Sequence, residues 1–143
     1  MTAMGDSPDI EFRSDETEDA VLRLGYHPYD SDFGSLTVSI RAGGLTYDES
    51  ALSAHGDGLD TFLASLAEDW RGWDGTRTWD ALEHGMTIEA THHGSRVELL
   101  FIVRRDYKPD AWQARFPVFV APGESLSRLA KTTSEYFKLR EHS

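Results

Sequence analysis

Hydrophobic and polar positions along this chain alternate with two periods, one of two residues and one near 3.6. Leu36, Val38, Ile40 and Ala42 interleave with Thr37, Ser39 and Arg41, the pattern of a strand with one buried face. Gly43-Gly44 follows, suited to a two-residue hairpin because both positions can take positive φ, and Leu45 and Tyr47 begin a return strand that fades near Leu52. Upstream, Val21, Leu22 and Leu24 predict another strand, and residues 27–34 read as a loop. Farther along, Met86, Ile88, Ala90 and His92 alternate with Thr87, Glu89 and Thr91 before His93-Gly94 turns the chain into Val97, Leu99, Phe101 and Val103. Leu100 and Ile102 make that strand apolar on its second face too, as expected of a central strand. A turn at residues 106–110 leads into Trp112, Ala114, Phe116, Val118 and Val120, where Pro117 cannot donate to a ladder and so marks an edge or a bulge.

Two segments carry the longer period. Leu59, Phe62, Leu63, Leu66 and Trp70 form one helical stripe, with Asp57 placed to cap its start and Gly72 to stop it. Pro122 and Glu124 open a second helix whose inner stripe is Leu126, Leu129, Ala130, Thr133 and Phe137. The order is therefore βββ-α-βββ-α, with short turns that make neighbours antiparallel. The fold class this predicts is α+β: a meandering antiparallel sheet of about six strands with two helices packed on one face. No residue-level repeat links the halves. Residues 1–19 read as an acidic, weakly ordered N-terminal segment, with Ile10 and Phe12 as a short edge strand, and residues 20–143 as a single domain.

Charge narrows the function classes. The net charge is −11, and it is uneven: residues 1–83 carry 18 acidic and 5 basic side chains, residues 84–143 carry 7 and 9. Phosphate backbones repel such a chain, so nucleic acid is not an expected partner. An acidic surface serves solubility and can also steer a basic partner. No apolar run approaches the ~18 residues of a membrane span, and the acidic start lacks the features of a signal peptide, so a cytoplasmic location and no membrane partner are expected. The chain has no cysteine, which excludes disulfides and thiolate metal sites.

Candidate chemistry is sparse. The six histidines, His27, His55, His84, His92, His93 and His142, show no metal-ligand spacing, and His92 and His93 point to opposite sides of one strand. His55-Gly56-Asp57-Gly58-Leu59-Asp60 lacks the ligand positions of a calcium loop, and helix capping accounts for its carboxylates. Asp80, Glu83 and His84 offer acid–base groups in a polar connection, but no phosphate loop, nucleophile elbow or zinc-protease motif occurs. No catalytic residue, metal ligand or cofactor is assigned, and the reading leans away from an enzyme. Trp70 continues the buried stripe, whereas Trp73 and Trp79 flank a glycine turn and either pack into the core or wall a ligand pocket.

The outward sheet face is more specific. It is expected to carry Thr37, Ser39, Arg41, Thr87, Glu89, Glu98, Arg104, Gln113 and Arg115 around an apolar island of Leu100, Ile102 and Phe119. A polar face with such an island suits a protein partner or self-association, and Arg41, Leu100, Ile102, Arg104, Arg115 and Phe119 are the candidate contacts. Loops or the N-terminal arm covering the island is the competing arrangement.

The string Gly58-Leu59…Phe62…Leu66-Ala67…Trp70-Arg71-Gly72-Trp73-Asp74-Gly75…Trp79…Leu82 resembles a family of small, uncharacterised bacterial proteins known only as a domain of unknown function. Ala90-Thr91-His92, residues 97–103, Trp112 and Pro122-Gly123-Glu124 extend the resemblance over roughly residues 35–139. It implies a bacterial protein with one α+β domain and transfers no catalytic residue. The acidic sheet-plus-helix pattern is also similar in style to toxin-neutralising immunity proteins, without a shared motif. Non-enzymatic protein binding, of immunity type or as a homodimeric accessory protein, is the leading expectation, and a small-molecule or hydrolytic domain with Trp73 and Trp79 at its pocket is the alternative.

Overall fold

The computed structural model describes residues 9–15, 19–105 and 112–141. Among these residues eight strands and two α-helices follow one another as β1 (Ile10–Phe12), β2 (Ala20–Pro28), β3 (Gly34–Ala42), β4 (Leu45–Ser53), α1 (Leu59–Glu68), β5 (Thr76–Asp80), β6 (Met86–His92), β7 (Val97–Arg104), β8 (Gln113–Val120) and α2 (Glu124–Glu141). The α+β class holds, but the strands form two antiparallel four-stranded sheets, β1-β2-β3-β4 and β5-β6-β7-β8, not one sheet of about six. The order becomes ββββ-α-ββββ-α. The strands beyond the expected six are β1, which is the short edge strand expected at Ile10 and Phe12, and β5, which was hidden because Trp79 is its one buried residue.

Each sheet is a plain meander, and the pleat sends alternate residues inward. Leu22, Leu24 and Tyr26 lie opposite Ile40, Val38 and Leu36 across β2 and β3. In the second sheet Trp79, Ile88, Phe101 and Phe116 form one inward row. Both inner faces enter a single apolar cluster, together with Leu59, Leu63 and Leu66 of α1 and Leu126, Ala130, Tyr136 and Phe137 of α2. The Phe12 and Phe101 rings meet edge to face at 4.9 Å, so the two sheets touch directly, and the helices pack against each other. As Leu100 and Ile102 suggested, β7 is an interior strand, and β8 with Pro117 lies at an edge.

Two local expectations fail at α1. Asp57 does not cap the helix; its Oδ1 accepts from the Ala54 N–H at 3.2 Å, and Gly58 occupies the cap position without a side-chain bond. The cause is a turn at His55–Gly58 in which all four residues have positive φ (57°, 81°, 55° and 76°). The helix also stops at Glu68, before Trp70, which is 49 % exposed and not part of the core stripe. Asp69 leaves helical geometry and pairs with Arg77 of β5 at 2.7 Å, turning the chain toward the second sheet.

Candidate functional site

The outer face of the second sheet is ordered in rows by its register. One row is Asp80, Thr87, Ile102 and Arg115; the next is Thr78, Glu89, Leu100 and Pro117; the third is Thr76, Thr91, Glu98 and Phe119. The face is thus divided lengthwise. On the β5–β6 side it is threonine and carboxylate, and on the β7–β8 side Leu100, Ile102, Pro117 and Phe119 lie side by side. Leu100 and Phe119 are half-buried, Pro117 is exposed, and Ile102 is 2 % exposed. The guanidinium of Arg96 lies 4.2 Å from the Phe119 ring centre and shields part of that end.

Arg104 and Arg115 share this face with Leu100, Ile102 and Phe119, whereas Arg41 does not. Arg41 lies in β3 opposite Val21 and Thr46, on the outer face of the first sheet, where Thr37 and Ser39 also sit. That second face is polar through its middle, with a hollow of about 350 Å³ lined by Arg23, Thr37, Ser39, Asp48 and Ser50 among others. Its apolar members, Val21 and Leu52, stand at opposite ends of the register. One expected surface is therefore two, and only the face of the β5–β8 sheet has contiguous apolar area.

Arg104 is held in place. Its Nη1 donates to Thr87 Oγ1 at 2.9 Å and to the His84 carbonyl at 3.2 Å, and the Thr87 hydroxyl donates to Asp80 Oδ1 at 2.6 Å. His84 Nδ1 lies 3.3 Å from the same carboxylate oxygen. Asp80 stands between the hydroxyl and the imidazole, so the imidazole cannot take the hydroxyl proton, and the cluster is not arranged as a nucleophile with its base. Its effect is to fix the end of the sheet. The network was invisible in sequence because Asp80 and Thr87 come together only through the β5–β6 pairing.

The edge of β8 is closed at one end. Phe119 donates its N–H to Ser14 Oγ and accepts at its carbonyl from the Asp15 N–H, both at 2.9 Å, and the Ala121 N–H reaches Asp15 Oδ2 at 2.8 Å. Pro117, two residues earlier on the same outward side, has no N–H to offer. An added strand finds little to pair with here, so a partner must approach the face and not the edge.

The tryptophans lie elsewhere. Trp79 is 6 % exposed and donates its indole N–H to the Asp57 carbonyl at 3.0 Å, securing the left-handed turn. Trp73 is half-buried; it donates to the Ala90 carbonyl at 3.2 Å and sits between Arg77, 4.9 Å over its ring, and the His92 imidazole, 5.2 Å away edge to face. His92 Nε2 in turn meets the Trp70 carbonyl at 2.9 Å. The segment folds onto the end of β6, and neither Trp73 nor Trp79 lines the hollow on the first sheet. Among the described residues no group of three or more metal-ligating side chains gathers, and no helix is long and apolar enough to cross a membrane. His142 lies outside the described residues, as do residues 1–8 and 16–18 of the acidic N-terminal segment.

These features define an α+β domain of two packed antiparallel sheets whose most distinctive surface is a half-apolar outer face. The chain belongs to a family of unknown function (DUF6228), whose sequence profile matches residues 13–140. The match starts well before residue 35, so it takes in β2 as well as the tryptophan segment. No curated protein matches the chain.

Proposed function

We propose that this chain is a non-enzymatic protein-binding domain that docks its partner on the outer face of the second sheet. The observation that carries the reading is the adjacency of Leu100, Ile102, Pro117 and Phe119 across β7 and β8, bordered by Arg104, Arg115, Glu89 and Glu98. An apolar centre inside a mixed-charge rim is the anatomy of a protein interface, and a closed strand edge favours face-on docking. The net charge of −11 supports a partner with basic character, attracted over the acidic half of the molecule. On this reading the protein is a bacterial, cytoplasmic accessory or immunity-type protein, and Arg41 stands outside the interface. A ligand pocket walled by Trp73 and Trp79 finds less support, since both indole N–H groups are engaged by backbone carbonyls.

Site-specific photo-crosslinking in the producing cell tests this. A photoreactive residue at Arg115 or Pro117 is expected to form one discrete adduct, and the same residue at Arg41 none. Leu100→Glu abolishes the adduct while the chain stays folded, because Leu100 is half-exposed; Ile102 is too buried to serve. An adduct of twice the chain mass identifies self-association, and any other mass a different protein. Equal labelling from Arg41 and Arg115, or no adduct from either, rejects the reading.

A further inference from the structure

The outer face of the second sheet holds one charged group whose bonding is unfinished. Glu89 is the central residue of β6, half-buried, in the cross-strand row of Thr78, Glu89, Leu100 and Pro117. Among the described residues none gives its carboxylate a hydrogen bond or an ion pair. The other carboxylates of the face are matched inside the chain. Asp80 accepts from the Thr87 hydroxyl at 2.6 Å, and Glu98 Oε1 lies 3.0 Å from His93 Nε2.

The neighbours of Glu89 account for this. Along β6 the adjacent residues on the same face are Thr87 and Thr91. Thr87 donates its hydroxyl to Asp80, and Thr91 Oγ1 lies 3.1 Å from Thr76 Oγ1. Across the strands stand Thr78 and Leu100, and the leucine side chain has nothing to donate. Neither Arg104 nor Arg115 supplies the missing donor. Arg104 is engaged with Thr87 and the His84 carbonyl, and Arg115 is two strands away, beyond Ile102.

Docking on this face removes water from Glu89, because its cross-strand neighbour Leu100 belongs to the apolar strip. A partner that is apolar or acidic at this point buries a carboxylate without a match, which weakens binding. One that brings a cation turns the same carboxylate into a charge-assisted hydrogen bond within a water-poor patch. Asp80 and Glu98 make no such demand, so selection among partners falls on Glu89. A second copy of the chain also carries −11, and the two copies repel each other at long range. Resting on the docking surface proposed above, we infer that Glu89 is its specificity-determining residue. The partner is a different protein that sets an arginine or lysine on Glu89 and an apolar side chain on Leu100, at the spacing of cross-strand neighbours, about 5 Å.

Photo-crosslinking in the producing cell from a probe at Pro117 tests the inference, with the urea midpoint of each variant measured alongside. Glu89→Gln keeps the shape and removes the charge; it is expected to lower the yield of the discrete adduct about fivefold or more, and Glu89→Lys to abolish it. Asp48→Asn removes one charge from the outer face of the first sheet and is expected to change the yield by less than about twofold. Glu89→Gln keeps the unfolding midpoint of the native chain, since its carboxylate has no partner inside the fold. The crosslinked peptide of the partner contains a basic residue near an apolar one, and changing that basic residue to glutamate restores the adduct of Glu89→Lys to at least about half. No adduct in the native chain removes the docking surface and this inference with it. A native adduct that persists in both Glu89 variants leaves the surface standing and overturns the role of Glu89. An adduct of twice the chain mass, an equal loss in Asp48→Asn, a lowered midpoint in Glu89→Gln, or a charge swap that restores nothing overturns it as well.

Discussion

Gly56 shows how much a single position decides in this molecule. A Cβ built there would stand 2.5 Å from the Phe137 ring, and φ is +81°. Gly43, in the β3–β4 hairpin, has φ of +59° but open space around it. Comparing alanine at each site separates conformational strain from steric overlap. Gly43→Ala is expected to cost about 1 kcal/mol, the price of a left-handed alanine alone. Gly56→Ala adds the displacement of Phe137 and is expected to cost about 2–4 kcal/mol in urea unfolding. Similar losses at the two sites would mean that Phe137 moves freely, against its 4 % exposure. The string His55-Gly56-Asp57-Gly58 announced a turn through its glycines. It did not reveal that His55 and Asp57 share the left-handed geometry, because that conformation is held by Tyr26 and Trp79 from distant parts of the chain as well as by the nearby Ser53.

At the scale of elements, β1 is short, and α2 takes over where it ends. Among the described residues the last β1–β2 pair is Ile10 with Leu24, and two residues on lies Tyr26, paired with Leu36 of β3 on its other side. Its N–H donates to the Tyr136 hydroxyl at 2.8 Å in a buried setting. A helix side chain thus completes a sheet ladder. Tyr136→Phe keeps the ring and its contacts with Phe137 but strands the amide, at a cost of about 1–3 kcal/mol. Hydrogen exchange gives the sharper readout: the Tyr26 amide should lose protection well beyond its neighbours Leu24 and Leu36. If exchange at Tyr26 is unchanged, the bond contributes nothing. The apolar stripe of α2 was readable from its spacing, β3 and β6 from strict alternation, and β7 from its apolar residues on both faces. β5 was not, because its inward positions are Arg77 and Trp79, and Arg77 is placed by stacking on Trp73. The candidate face was readable in the same measure. Leu100, Ile102 and Phe119 were marked by apolar residues on the polar side of their strands, but Arg41 was grouped with them only because one sheet was assumed.

That assumption has a physical origin at the scale of the whole molecule. A sheet covered by helices on one side and two sheets sharing a core both give one buried and one outward face per strand, so a period of two cannot tell them apart. The layers share one apolar cluster, crossed by aromatic contacts of which one can be titrated. Tyr47 of β4 meets Trp112, just before β8, edge to face at 5.2 Å, and its hydroxyl faces Glu49 Oε2 at 3.3 Å. Burial, then the Glu49 charge and the hydrogen bond to it, push the phenol up to about 12 from an ordinary 10.0. Below pH 10 the phenol is protonated folded and unfolded alike, and its contribution to stability is fully present. Between about pH 10 and 12 only the unfolded chain gives up the proton, so stability falls as pH rises through the folded value. Tyr47 is partly solvated, which limits the slope to about 1 kcal/mol per pH unit or less. Urea unfolding at pH 9, 10 and 11 should therefore show the native chain losing stability faster than Tyr47→Phe, with the two curves converging toward high pH. Parallel curves would mean that the phenol ionises as readily in the folded chain as in the unfolded one, and that this seam between the sheets is open to water.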